Sequence, residues 1–283
     1  MKKSFLYAAF AMILFGSCFP ERQLAVDYVE KFSNSKHEPV ERIYVVLPEE
    51  VIHTNKKLSE IEGFFDMDVK TQDDLIRKNT KFVDKINDSI FLTQFKDHLI
   101  YNLGRIGIPV IIETNPDRLP QAVSNQIFIL RIPQMEVEEY IEDKTVEYVT
   151  GGGHVYEASV PQNKFNVNIW YHFDKDSDTT NAPAYFYHWV FTDRVSNSLE
   201  RDAGGNLKLR TKVEELNMND VYASSYLTGK LTATYFIEKI VNDYVKSQKG
   251  SPSYYYFYNP EKNKITNDEV PYYYGVSTFK EVK

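Results

Sequence analysis

One cysteine, Cys18, stands in 283 residues, so no internal disulfide can staple this chain. No run of eighteen or more apolar residues occurs, and with it goes an ordinary membrane-spanning helix. Basic residues are outnumbered: 33 Lys and Arg against 40 Asp and Glu give a formal charge of −7. Such a surface repels phosphate backbones and offers no polybasic grip on anionic lipid, so nucleic acid is not expected as a partner. Familiar catalytic motifs are missing too. There is no His-Glu-x-x-His pair and no Gly-x-Ser-x-Gly elbow. Gly151-Gly152-Gly153 lacks the Lys-Ser/Thr of a phosphate loop and reads as a turn between strands. Neither a cofactor nor an enzymatic activity is expected.

What is present begins at the N-terminus. Lys2 and Lys3 precede an uncharged apolar run from Phe5 to Phe15, then Gly16, Ser17 and Cys18. A positive patch, a short apolar core and small residues form the grammar of an export signal. The segment Phe15-Gly16-Ser17-Cys18 resembles the lipobox of bacterial lipoproteins, with Phe15 standing where Leu, Val or Ile is usual. The resemblance implies cleavage before Cys18 and a diacylglycerol on its sulfur. Two or three acyl chains anchor stably because each buried methylene adds about 0.8 kcal/mol. Loss of Lys2 and Lys3 with the signal takes the formal charge from −7 to −9. Phe19 stands where an inner-membrane retention Asp would be, so by the same resemblance the destination is the outer membrane. Only Glu21, beside Arg22, offers an acidic residue just after Cys18, which favours the periplasmic face.

The mature chain divides by composition. Residues 1–17 are the expected signal and 18–41 a polar tether, in which Ala25, Val29 and Phe32 can share one helix face. Residues 42–250 alternate strand and helix patterns and are expected to form one α+β domain. Ile43–Leu47 reads as a strand, and Thr71–Asn87 as a helix. A second helix, capped at Ser89, carries Phe91, Phe95, Leu99 and Leu103 at i+4 spacing and ends near Gly104 and Gly107. Ile108–Ile112 returns as a strand, a helix-to-strand step usual in α/β layers. Gln126–Tyr140 is a long strand in which Pro133 predicts an edge or a bulge. Phe165–Phe173 and Tyr185–Asp193 alternate with period two and predict a hairpin with one buried face. Gly204-Gly205-Asn206 suggests a further turn. A long helix from Asp220 to Ser247, with Asn219 as cap, ends at Gly250 and Pro252. The expected architecture is α+β, a mainly antiparallel sheet with two or three helices packed on one face. Residues 251–283 form a Tyr-rich tail or strand pair.

This element order is similar to that of the lipopolysaccharide-assembly lipoprotein and the auxiliary lipoproteins of lipid transporters. The stretch Gln134-Met135-Glu136-Val137-Glu138-Glu139-Tyr140, with Ile43-Tyr44-Val45-Val46-Leu47-Pro48 and Thr192-Asp193, also looks like a signature of Bacteroidota envelope lipoproteins. The likeness implies an outer-membrane protein that works by binding. An accessory role in envelope assembly or lipid transport, with an envelope protein partner, is the first expectation. A surface glycan- or nutrient-binding lipoprotein is the second, so the ligand is a lipid or a glycan.

Candidate sites are few. Glu136 and Glu138 share one strand face about 7 Å apart, a spacing a glycoside hydrolase could use. Exposed charge on a sheet face is the ordinary outcome. Asp174, Asp176 and Asp178 echo half of a calcium loop, without its glycine and distal Glu. His172 and His188 fall on neighbouring strands and could face one another as a metal pair. The rings of Tyr254, Tyr255, Tyr256, Tyr258, Tyr272, Tyr273 and Tyr274 suit either an interaction surface or packing over the sheet.

Overall fold

The computed structural model describes residues 19–34, 42–59, 61–114, 118–119, 127–174, 184–250, 252, 254–268 and 280–282. Along the chain lie α1 (Phe19–Asn34), β1 (Arg42–Val46), β2 (Ile52–Asn55), the single turn α2 (Lys56–Ser59), α3 (Val69–Asn79) and α4 (Asp88–Gly104). There follow β3 (Val110–Ile112), β4 (Ile127–Val149), β5 (Val155–Asp174), β6 (Ala184–Thr192), β7 (Arg194–Arg201) and β8 (Leu207–Glu214). The chain closes with α5 (Met218–Lys249), β9 (Tyr255–Asn259), β10 (Lys264–Asp268) and β11 (Lys280–Val282).

A seven-stranded sheet runs β11-β6-β5-β4-β1-β3, with β2 also paired to β4. The expected hairpin of β5 and β6 is present, and β4–β5 and β6–β11 are likewise antiparallel. The other side departs from a mainly antiparallel sheet. β1 runs parallel to both β3 and β4, and β2 runs parallel to β4. For β1 and β3 the cause is the helical crossover of residues 56–104, which returns the chain to the end of the sheet where β1 starts before β3 begins. The sheet is therefore mixed, and five helices accompany it among the described residues rather than two or three.

Pro133 marks the expected irregularity. The β4–β5 register shifts by one residue between Arg131 and Gln134. A residue without an N–H cannot serve the ladder, and the extra residue reverses which side chains face inward. Phe128, Leu130 and Ile132 are buried before it, whereas Met135 and Val137 are buried after it. β1 and β2 lie end to end along β4 on either side of this bulge.

α4 and α5 cover the face that carries Phe165, Val167, Ile169 and Tyr171. Phe91, Phe95, Leu99 and Leu103 are all fully buried there. The two helices touch through small residues. A Cβ on Gly229 would lie 2.3 Å from the Phe95 carbonyl oxygen, and the Ser225 hydroxyl donates to the Phe91 carbonyl. Tyr171 OH and Thr232 Oγ1, 2.7 Å apart, fasten α5 to the sheet. α5 starts two residues earlier than expected because Asn217 and Asp220 form a reciprocal capping box, and Gly250 ends it at φ 78°.

α1 packs on α5, with Tyr28 stacked on Tyr244 at 3.9 Å and Ala25 and Val29 buried. The hairpin β9–β10 docks on the same helix, and β7–β8 covers the far ends of β4 and β5. Among the described residues no helix is long and apolar enough to cross a membrane.

One expected helix is shorter than its pattern. Leu75 to Ile86 keeps helical spacing, yet α3 stops at Asn79 and a 3-10 turn follows at Val83–Lys85. The fully buried Glu139 carboxylate accepts the N–H groups of Lys81, Phe82 and Val83 at 2.8, 2.6 and 2.9 Å. A continuing helix would have spent those donors internally, so a distant side chain overrides local periodicity.

Candidate functional site

The face of the sheet opposite α4 and α5 is assembled by strand register alone. Three ranks cross β4, β5 and β6: Glu138–Asn166–Val190, Glu136–Asn168–His188 and Gln134–Trp170–Phe186. β2 adds Thr54 beside Glu138 and Ile52 beside Glu136. Period-two alternation explains why polar residues collect here, since the other half of each strand is committed to the core.

These side chains are held in place. Lys56 Nζ lies 2.6 Å from Glu138 Oε1, and Asn166 Nδ2 donates to Glu138 Oε2 at 3.2 Å. Asn168 Oδ1 meets His188 Nδ1 at 2.6 Å, and the Thr54 hydroxyl donates to Glu136 Oε1 at 2.6 Å. Asn166 and Asn168 are only 3% and 5% exposed, recessed between larger neighbours. Trp170 and Phe186, with ring centroids 5.0 Å apart, are half-buried beside them. Asn166 Oδ1 is buried without a hydrogen-bond partner. An unmet buried acceptor costs about 1–3 kcal/mol, so it marks a place where the fold leaves hydrogen-bonding capacity unused.

The electrostatics oppose acid catalysis at Glu138. Burial pulls its carboxyl upward, but Lys56, Asn166 and Asn168 donate to it and hold it below the usual range. Lys56 is raised in turn, chiefly by its hydrogen bond to Glu138 against the opposing effect of burial. A carboxylate kept ionised cannot serve as the proton donor of glycoside hydrolysis. It is a fixed acceptor. Nor is Glu138 the exposed sheet-face charge expected from sequence, being buried, and its neighbour Glu139 is buried on the opposite side.

Other sequence candidates scatter. His188 lies opposite Asn168, whereas His172 lies opposite Ala184, so the two histidines do not face one another. Asp174 is the last residue of β5 and pairs in register with Ile129, inside a ladder rather than in a loop. Asp176 and Asp178 lie outside the described residues, as do Cys18 and Tyr272, Tyr273 and Tyr274. Among the described residues no group of three or more His, Cys, Asp or Glu side chains could hold a metal ion. Tyr256 and Tyr258 are core residues beneath β9–β10, and Tyr254 and Tyr255 are half-buried. For Tyr256 and Tyr258, packing wins over display. Asn166, Asn168 and Trp170 take the polar side of the Phe165–Phe173 alternation, whereas nothing in the sequence marks Lys56.

Two further spaces lie away from this face. A cavity of about 310 Å³ opens where β6, β7, β8 and the start of α5 meet. A narrower gap of about 70 Å³, lined by Tyr28, Phe128, Phe173, Phe236 and Tyr244, lies between α1, α5 and the sheet.

No family model matches the chain, and no curated protein matches it. One solved structure, described as a neuraminyllactose-binding hemagglutinin homolog from Helicobacter pylori, aligns over 77% of this chain and 95% of its own. The identity is 14% and the TM-score 0.29, too low for the likeness to carry any argument.

Proposed function

We propose that this chain is a lipid-anchored outer-membrane protein that works by binding, and that the open face of its sheet takes a glycan. One observation carries the reading: Glu136 and His188, held by hydrogen bonds to Thr54 and Asn168, stand partly exposed beside the half-buried rings of Trp170 and Phe186. Sugars present hydroxyls along their edges and C–H groups on their faces, and planar polar side chains next to an aromatic ring match both. Preorganisation matters because polar groups already held in place cost little further entropy on binding. The gap of about 70 Å³ between α1, α5 and the sheet is too small for an acyl chain.

The anchor belongs to the same proposal and rests on the signal grammar and Cys18. Since α1 begins at the next residue and packs on α5, acyl chains on Cys18 would hold the domain close to the bilayer without a long tether. An envelope partner on the periplasmic face remains part of the reading.

The test uses the full chain in mild detergent, titrated with glucose, galactose, N-acetylglucosamine, lactose and chito-oligosaccharides while tryptophan emission is followed. At least one sugar is expected to quench the emission, and calorimetry of Trp170→Ala, which lacks the reporting ring, should show binding at least tenfold weaker. No binding up to millimolar sugar, or unchanged binding by Trp170→Ala, would sink the glycan reading. Uptake of a fluorescent fatty acid instead would return the lipid reading to first place.

A further inference from the structure

The cavity of about 310 Å³ shares no lining residue with the open-face ranks, so it poses a separate question. Its apolar lining comes from Phe191 at the end of β6, Leu216 just before α5, and Leu227 on α5. Charged residues line it as well. Arg194 opens β7 and Glu214 closes β8, and the two are direct partners in the β7–β8 ladder. Cross-strand neighbours have Cβ atoms about 5 Å apart, a distance at which opposite charges normally find each other. Among the described residues neither side chain makes an ion pair, and both line the cavity.

The remaining charges at the site are already engaged. Glu215 is paired with Lys81 at 2.7 Å. Asp220 Oδ2 accepts the Asn217 N–H in the capping box, so the first turn of α5 is satisfied from within. The helix N-terminus therefore adds no anion site of its own. What the cavity presents is one unengaged guanidinium, the unengaged carboxylate of its ladder partner, and the apolar side chains of Phe191, Leu216 and Leu227. Its volume lies at the small end of the range for ligand pockets, roughly 300–1,000 Å³.

We propose that this cavity binds a small zwitterion, an apolar α-amino acid or its dipeptide. Arg194 takes the carboxylate through its planar fork, and Glu214 takes the ammonium. Phe191, Leu216 and Leu227 receive the side chain. A ligand carrying only one charge satisfies only one of the two groups and leaves the other as it was, so both charges are needed for full affinity.

The probes are leucine, isoleucine, phenylalanine and methionine with their homodipeptides, each titrated calorimetrically into the full chain in mild detergent. 4-Methylpentanoate and isoamylamine, which each keep one charge of leucine and its whole side chain, are the controls. At least one zwitterion is expected to bind, with its single-charge analogue at least tenfold weaker. Arg194→Met and Glu214→Gln should each weaken it at least tenfold. Both side chains are exposed, so circular dichroism of the variants should match the parent. Silence from all eight zwitterions overturns the proposal. So does binding that either substitution leaves unchanged, or an analogue that binds as tightly as the amino acid. Sugar titrations of the same two variants separate this site from the open face, because they should leave any glycan affinity intact.

Discussion

Glu238 offers the sharpest test of how the C-terminal hairpin is held. It stands one turn before Asn242 on α5, and together they receive the outer edge of β9. Glu238 Oε1 accepts the Tyr258 N–H at 3.0 Å. Asn242 accepts the Tyr256 N–H at 2.9 Å and donates to the Tyr256 carbonyl at 2.8 Å. The basic side chains nearby, Arg105 and Lys230, meet Glu261 instead. Burial therefore dominates and lifts the Glu238 carboxyl to about 8, with the Tyr258 N–H pulling weakly the other way. In the unfolded chain the same group titrates near 4.5. Between these values the folded protein holds a proton that the unfolded chain has lost, so folding stability falls as pH rises from about 4.5 to about 8 and is level beyond. One unit is worth about 1.4 kcal/mol, and the partial exposure of Glu238 brings the loss down to about 3 kcal/mol. Glu238→Gln keeps an acceptor for Tyr258 and removes the ionisation. Urea unfolding of both proteins at pH 5 and pH 8.5 isolates the group, since the other titrations cancel between them. The parent should lose about 3 kcal/mol more than the variant over that interval. An equal loss in both would refute burial as the cause.

Other perturbations follow from the same contacts. Gly229→Ala drives a methyl group into the Phe95 carbonyl, and the helices must part; thermal unfolding should show a loss of about 3 kcal/mol. Glu139→Gln leaves Lys57, 5% exposed along its side chain and 3.0 Å away, as an unmatched buried charge and weakens three backbone bonds, for about 3–5 kcal/mol by urea unfolding. Cys18→Ala should shift the chain from the membrane to the soluble fraction, and retention through integral contact would refute the anchor. Protease added to whole cells should leave the domain intact if it faces the periplasm, and cleavage there would place it on the cell surface.

Periodicity made several elements legible before any coordinates. The i+4 apolar ladder from Phe91 to Leu103 and the period-two run from Phe165 to Phe173 each name their buried face, because one helix or strand pattern suffices to do so. Pro133 announced its bulge and Gly250 its helix end through backbone chemistry that belongs to the single residue. Strand direction was a different matter. Nothing within Ile43–Leu47 says whether its neighbours run with it or against it; for β3 the crossover of residues 56–104 decides that.

The candidate sites divide along the same line. Composition, charge and the solitary Cys18 limit the classes of partner, because they depend on which residues exist and not on where they meet. Placement depends on register and on long-range partners. Glu138 and Glu139 are adjacent in one acidic run, yet one faces the polar ranks with Lys56 and the other is sealed against Lys57 and the backbone of residues 81–83. Arg194 and Glu214 are twenty residues apart and meet only because β7 and β8 pair. For β5 and β6 the sequence by itself determined which side chains turn toward the helices. Tertiary structure alone decided which outward side chains become neighbours, since a hydrogen bond or an ion pair needs two groups within a few ångströms and chain order does not encode that distance.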